Sequence, residues 1–263
     1  MRTTIVSPIA FAAFLVALGV ASLVMGDFAA IWQPVPKGTP ARAFLVYLSA
    51  LVAFGSGLGL LFRQSAAVAA RALLLTLLLW VLAFRVPAIV RAPVTQDPWS
   101  GIGETFVLAA AAWVLFAGVA SEWDRRHFGF ATGASGVRIA RVLFGLALIP
   151  LGIAHFAYIN ETAGLVPTWL PQHLPIAYLT GAAFIAAGAA VLTGVRAQLA
   201  AVLVTVEMGL FTLLVWLPIL AAGSRNPFHW SESVLSCALT ISGWVVADSY
   251  RHTPSAQPDL AAT

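Results

Sequence analysis

Residues 152–178 read GIAHFAYINETAGLVPTWLPQHLPIAY, and the rest of the chain can be understood outward from this stretch. An apolar helix long enough to cross a bilayer ends here, at His155 and Tyr158. A polar corner that includes Glu161 and His173 follows, and the chain then becomes apolar again. A helix that leaves the hydrocarbon layer and returns after a short polar corner is typical of a polytopic membrane protein.

The amino-acid composition also indicates a membrane protein. Of the 263 residues, 60% are hydrophobic and 9% are charged, and the mean hydropathy is +0.93. Soluble domains carry about 25% charged residues, so this chain could not cover a surface that faces water. The single cysteine, Cys237, excludes an internal disulfide, a CxxC thiol pair and a cysteine-ligated cluster. The net charge of +4 comes from arginines in short loops, which suits the lipid bilayer, and no nucleic-acid partner is expected.

Eight stretches are apolar over about 20 residues, the length that spans a bilayer. We therefore predict an all-α integral membrane protein with eight transmembrane helices, at 5–25, 41–62, 66–90, 101–120, 138–158, 175–193, 197–222 and 231–250. Nine of the 14 arginine and lysine residues lie on the side that carries both termini. This bias predicts that both termini are cytoplasmic.

The second half of the sequence repeats the first. One constant shift superposes five aromatic, glycine and proline pairs: Tyr47 and Tyr178, Gly57 and Gly188, Pro87 and Pro218, Trp99 and Trp230, and Trp113 and Trp244. With small gaps, Gly19 also matches Gly152, and Trp32-Gln-Pro34 matches Trp169-Leu-Pro171. Each half is thus predicted to be a four-helix unit. Because four crossings separate the copies, the two repeats are expected to be parallel in the bilayer.

The repeat and the loop composition divide the chain into four predicted segments. The first four-helix repeat covers 1–120, and a charged cytoplasmic linker covers 121–137. The second repeat covers 138–250, and a Pro- and Ala-rich tail at 251–263 is expected to be disordered.

Prolines and tryptophans shared by the halves suggest structural roles. Pro87 and Pro218 are expected to kink or end the third and seventh helices. Four tryptophans are expected to lie at the membrane interfaces: Trp32, Trp99, Trp169 and Trp230.

Glu207 is the residue whose burial should cost most. It lies near the middle of the seventh predicted span, and an isolated charge at that depth costs from about 2.5 kcal/mol upward. Its repeat counterpart is Thr76, so the fold itself does not require an acid there. Two interpretations stay open: a neutral acid that bonds to a neighbouring helix, and a proton-relay or ligand-contacting carboxyl group. Under the second, Glu207→Gln should impair ligand binding or turnover and leave the fold intact.

Other polar residues collect on the membrane face opposite the termini. His155 could carry a proton or bind a ligand, or could simply form a hydrogen bond in the interfacial layer. His229 and Glu232 form an H-x-x-E pair on one helical face, a pattern found in metal sites, although an acid in a first helical turn also complements the helix dipole. The ligand-binding or proton-relay candidates are Glu207, His155, Glu232, Glu161, His229 and Glu104; no catalytic residue and no metal site is assigned.

The second half resembles the DoxX-like integral membrane proteins of bacteria, which are four-helix units. The resemblance covers most of the second repeat and is weaker in the first half, which looks like a diverged copy. It depends on the order of five short motifs: GIAHF (152–156), LVPTWLP (165–171), YLTGA (178–182), WLP (216–218) and NPFHWSE (226–232). This chain differs from the simple pattern because it is a tandem of two units.

The resemblance implies a multi-pass protein of the bacterial inner membrane, in a group linked to quinone-coupled sulfur oxidation and membrane thiol-redox complexes. It leads us to expect an accessory or quinone-interacting subunit of a redox system. The chain lacks thiol pairs and haem or flavin signatures, so a redox role would need a quinone or a partner subunit. A proton-coupled small-molecule carrier and a non-enzymatic membrane scaffold remain the alternatives, and enzyme activity and oligomeric state are left open.

Overall fold

The computed structural model describes residues 6–252, which form helices joined by short connections and contain no strand. Eight helices are long: α1 (Val6–Met25), α2 (Arg42–Leu60), α3 (Ala66–Arg91), α4 (Gln96–Val119), α5 (Gly133–Ala157), α6 (His173–Thr193), α7 (Ala197–Ala221) and α8 (Pro227–Ser249). Two short helices, Glu122–His127 and Ile159–Leu165, lie in the connections. The prediction of an all-α fold is confirmed for the described residues, and most of the predicted disordered tail lies outside them.

Seven of the long helices, α1 to α7, are long and apolar enough to cross a membrane. The chain is therefore a multi-pass helical membrane protein. Helix α8 has 23 residues but is less apolar, and several of its polar residues are buried, including Ser233, Ser236 and Ser242. It contacts α1, α4 and α7, so these side chains are enclosed by protein. The eighth crossing remains a prediction.

Helix α4 is the most enclosed helix of the bundle. It packs against α3, α5 and α8, and its four consecutive alanines at 109–112 are all completely buried. Small side chains let neighbouring helices approach on every side. The two halves meet along this helix, which positions Glu104 of the first half against α8 of the second.

The helix pairs α1–α2 and α5–α6 cross at matching glycines. A Cβ atom on Gly19 would lie 2.6 Å from Cβ of Phe54, and one on Gly152 would lie 2.6 Å from Cγ1 of Ile185. Phe54 and Ile185 are themselves superposed by the constant shift that relates the two halves of the sequence. The helix pairs α1–α2 and α5–α6 therefore cross at matched positions in the two halves of the sequence.

Helices α3 and α7 each contain one π-helical segment, at Val81–Arg85 and Thr212–Trp216. The same constant shift superposes these two segments, and each directly precedes the turn that holds Pro87 or Pro218. Proline cannot donate the usual backbone hydrogen bond, and a wider turn accommodates that loss. The helices therefore do not end at the prolines but continue to Arg91 and Ala221.

Three helices begin more than one turn before their predicted starts. Helix α4 begins at residue 96 rather than 101, α5 at 133 rather than 138, and α8 at 227 rather than 231. The added residues of α4 and α5 are polar or glycine-rich, and those of α8 include Pro227 and His229, so hydropathy alone did not include them. The predicted linker at 121–137 therefore contains a short helix and the first turn of α5.

Trp32 does not have the exposed side chain that the prediction of an interfacial anchor requires. Trp99, Trp169 and Trp230 are exposed, but Trp32 is completely buried, and its ring centroid lies 4.9 Å from that of Trp80. Its indole is part of an aromatic cluster in the first half. Trp32 and Trp169 match in sequence but have different surroundings, one buried and one exposed.

A buried ion pair attaches the connection between α4 and α5 to α3. Asp124 is completely buried and lies 2.6 Å from Nη1 of Arg71. The hydroxyl and the backbone N–H of Ser121 also donate to the carboxylate, at 2.6 and 2.9 Å. Burial raises the pKa of Asp124, but the hydrogen bonds from Ser121 and the charge of Arg71 outweigh it, and the pKa lies below its ordinary value.

We expect the ion pair between Asp124 and Arg71 to make the free energy of unfolding depend on pH. The contribution is complete above the unfolded-state pKa of about 4 and is lost as the pH falls through the lower folded-state pKa. Asp124→Asn should cost about 2 kcal/mol at pH 7, since it leaves Arg71 without its carboxylate. Unfolding in detergent should be measured at a series of pH values. The difference in the free energy of unfolding between Asp124→Asn and the native protein should decrease toward pH 3.

The matched control is Glu122→Gln, which removes an exposed carboxylate paired with Arg126 on the same short helix. It should change little at any pH. A gap between Asp124→Asn and the native protein that stays constant down to pH 3 would contradict the assignment.

Candidate functional site

A cavity of 390 Å³ lies in the second half of the bundle, among α5, α6, α7 and α8, with α4 on one side. Ligand sites for small molecules occupy roughly 300–1,000 Å³ and are mostly apolar. Apolar side chains also form most of this wall, among them Leu151, Ile176, Phe184, Met208, Phe211, Leu214, Trp216, Leu235 and Leu239. The cavity thus has the size and character of a site for an apolar small molecule.

Four of the six residues predicted from the sequence line this cavity. Glu104, His155, Glu207 and Glu232 reach it from α4, α5, α7 and α8 respectively. Four different helices therefore bring three carboxyl groups and one imidazole to a single apolar space.

The other two predicted residues lie elsewhere. Glu161 is exposed on the short helix after α5, although Thr162 beside it lines the cavity. His229 does not line the cavity, and its Nδ1 lies 2.7 Å from the hydroxyl of Ser224. The H-x-x-E pair is thus divided, because Glu232 faces the cavity and His229 bonds to the loop. No group of three metal-ligating side chains occurs within residues 6–252.

The imidazole of His155 is held in a fixed orientation. Nδ1 lies 2.8 Å from the carbonyl oxygen of Leu151, and because a carbonyl only accepts, Nδ1 carries the proton. The ring stacks near Phe184 and Phe211, with centroid distances of 5.2 and 5.7 Å. In the neutral ring, Nε2 is therefore the nitrogen that can accept a hydrogen bond or a proton from a ligand.

Glu207 has no polar partner within the described residues. Its Oε1 atom is buried and makes no hydrogen bond there, and the carboxyl group makes no ion pair. A buried polar atom without a partner is costly, so such atoms in native proteins need an explanation. A ligand atom in the cavity would supply the missing hydrogen bond.

Arg85 of α3 is a buried cation that was not among the residues predicted from the sequence. It is 5% exposed, with Nη2 2.6 Å from the carbonyl of Gln33 and Nε 2.9 Å from Oγ1 of Thr105. A Cβ on Gly101 would lie 2.6 Å from its Nη1, so a side chain at position 101 would displace the guanidinium from this place. Its charge acts on Glu104. An arginine within the apolar third span was the signal that could have identified it.

The corresponding region of the first half is filled by side chains. Trp80, the counterpart of Phe211, lies in an aromatic cluster with Phe28, Trp32 and Phe84, at centroid distances of 5.5, 4.9 and 4.6 Å. Ser22, at the position of His155, donates its hydroxyl to the carbonyl of Asp27. Three of the four ionisable side chains named at the cavity, those of His155, Glu207 and Glu232, therefore come from the second half.

A hydrogen bond between the halves lies at the rim of the cavity. The hydroxyl of Tyr158, which lines the cavity, donates to Oδ1 of Asp97 at 2.5 Å. This bond raises the pKa of the Tyr158 phenol, because ionisation would place two negative charges side by side. Tyr158 thus remains a neutral donor and fixes the start of α4 against the rim.

Comparison with models of known protein families, with curated proteins and with solved structures finds no match to this chain.

Proposed function

We propose that the cavity binds a lipid-soluble small molecule with a hydrogen-bonding head group, and that this molecule is a quinone. The observation that carries the proposal is that His155, whose Nε2 can accept a hydrogen bond, and Glu207, whose Oε1 has no partner, line the same apolar cavity. A neutral carboxyl group can donate to a quinone carbonyl, and the imidazole nitrogen can accept from a quinol hydroxyl. Aromatic rings beside His155 offer flat surfaces to a planar ring.

A bound quinone would supply two-electron, two-proton redox chemistry. The chain's own residues would orient the ring, exclude water and hold protons at Nε2 of His155 and at the carboxyl of Glu207. Glu104 and Glu232 would complete the polar wall, and Arg85 would balance the charge of Glu104. No residue of this site supplies electrons, so electron exchange would need a partner subunit.

In this proposal the protein is a DoxX-like accessory subunit of a bacterial inner-membrane redox system. Its eight helices are two parallel four-helix repeats with cytoplasmic termini. The matched glycine crossings and the π-helical segments, which lie at equivalent positions of the two halves, support the repeat. The nine-to-five distribution of basic residues supports the orientation.

A proton-coupled carrier is the second candidate, and one observation favours it. The π-helical segment Thr212–Trp216 contributes Leu214, Val215 and Trp216 to the cavity wall, directly beyond Glu207 on the same helix. Such segments frequently occur at functional sites. Glu207 would then be the coupling carboxyl group, and transport would follow a pH gradient in liposomes. A membrane scaffold would show neither ligand binding nor transport.

Trp216 provides a direct test of ligand binding, because it lines the cavity and is 7% exposed. A short-chain benzoquinone added to the purified protein should quench tryptophan fluorescence saturably. Trp216→Phe should lose a large part of the quenching amplitude, although eight other tryptophans remain. Quenching that rises linearly and equally in both proteins would reflect partitioning into detergent and would contradict the proposal.

A further inference from the structure

A second space, a groove of 810 Å³, lies at the opposite end of the second half. It is bounded by the start of α5, the turn between α6 and α7, and Tyr250. Arg138 in this groove and His155 in the first cavity lie near opposite ends of one helix, which separates them by about 25 Å. The two spaces are therefore distinct.

Three arginines line this groove: Arg138, Arg141 and Arg196. Arg141 is held in place, with Nη2 2.6 Å from the carbonyl of Ser249 and its guanidinium 3.8 Å from the ring centre of Tyr250. The side chains of Arg138 and Arg196 are exposed, and no ion pair or hydrogen bond joins their guanidinium groups to residues 6–252. No carboxylate is among the described residues that line the groove, so the charges of these two arginines are not balanced there.

Backbone donors add to this charge. Arg196 precedes α7 with φ at +49°, shortly after Gly194 at +78°, and no side chain caps the helix. The first N–H groups of a helix have no partner within it, and they attract anions together with the helix dipole. Ala197, Gln198 and Leu199, which carry these groups, are part of the groove lining.

The fold does not require these arginines. In the register of the repeat, Ser65 stands where Arg196 stands, and Pro8 stands where Arg141 stands. Ser65 donates to the carbonyl of Gly59, so the matching turn of the first half is closed without a cation. The first half therefore has no arginine at either of these two positions.

We propose that this groove binds the phosphate group of an anionic membrane phospholipid. Guanidinium groups and free helix N–H groups are the usual phosphate donors in proteins. The groove also has an apolar side formed by Val142, Val191, Leu192 and Val202, against which acyl chains can lie. A free phosphate ion would use the same donors but would leave this apolar side uncovered. The site is independent of the quinone proposal.

The test uses delipidated full-length protein in detergent, titrated with phosphatidylglycerol or phosphatidylcholine and observed by native mass spectrometry. The native protein should retain phosphatidylglycerol more strongly than phosphatidylcholine. Arg138→Gln and Arg196→Gln should each lower phosphatidylglycerol retention about five-fold, and the double variant should lower it further. Binding of phosphatidylcholine should not change in any of them.

The matched control is Arg63→Gln/Arg126→Gln, which removes the same charge from exposed arginines outside the groove. It should retain phosphatidylglycerol like the native protein. An equal loss in the control, or equal retention of the two lipids by the native protein, would overturn the proposal. Inorganic phosphate is the second probe: if it saturates the groove while phosphatidylglycerol shows no preference, the ligand is the free ion and the lipid assignment is wrong.

Discussion

Glu207→Leu is expected to weaken quinone binding about ten-fold while raising the stability of the protein. The substitution removes the buried Oε1 atom that has no partner, together with a polar group deep in an apolar helix. It also removes the donor that the proposal assigns to a quinone carbonyl, and one such hydrogen bond is worth about 1–1.5 kcal/mol, or about a factor of ten. A higher free energy of unfolding together with a lower quinone affinity would show that Glu207 serves ligand binding rather than the fold.

Glu207→Gln separates hydrogen bonding from proton transfer. The amide can still donate to a carbonyl oxygen, so affinity should fall less than in Glu207→Leu. It cannot release a proton, so any proton-coupled turnover should be lost. Glu161→Gln is the control, because Glu161 is exposed outside the cavity. Normal binding and turnover in both Glu207 variants would remove this residue from the site.

Gly152→Val is expected to lower the free energy of unfolding by about 3 kcal/mol or more. Its Cβ would lie 2.6 Å from Ile185 and 2.7 Å from the carbonyl oxygen of Gly181, and a backbone atom cannot move aside as a flexible side chain can. Gly19→Val should have a similar effect, because its Cβ would meet Phe54 and the carbonyl of Ala50 at the same distances. Thermal unfolding in detergent measures both.

Gly55→Val is the matched control for these two variants. Gly55 lies on α2, and nothing lies within 4 Å of a Cβ placed there. It carries the same change in helix propensity without the steric overlap, so its unfolding should be close to that of the native protein. If Gly19→Val behaves like Gly55→Val while Gly152→Val does not, the two helix crossings are not equivalent.

The helical membrane fold could be predicted because a segment that crosses the hydrocarbon layer must meet strict limits of length and hydrophobicity. Spans must be apolar over a fixed length, and α1 to α7 follow that rule. Helix α8 is enclosed by other helices, so its buried serines reduce the hydropathy signal without harming the fold. The early starts of α4 and α5 were missed for a related reason, since polar first turns carry no hydropathy signal.

The candidate site could be predicted in part. Glu207 and His155 stood out because ionisable groups within apolar helices are costly, and the structure brings them to one cavity. Whether Glu161 or His229 joined them depended on helix rotation and loop path, which sequence spacing does not fix. The burial of Trp32 and the position of Arg85 over Gly101 likewise depend on packing between helices distant in sequence.

We propose that the cavity beside His155 and Glu207 holds a lipid-soluble ligand, and native mass spectrometry can detect such a ligand without a label. The protein would be released gently from nanodiscs made with its own membrane, beside Ala154→Phe, which places a large ring in the cavity. We expect a stoichiometric adduct with the mass of a quinone or another isoprenoid in the native protein, and the loss of this adduct in Ala154→Phe. Ordinary phospholipid adducts alone, identical in the two proteins, would contradict it.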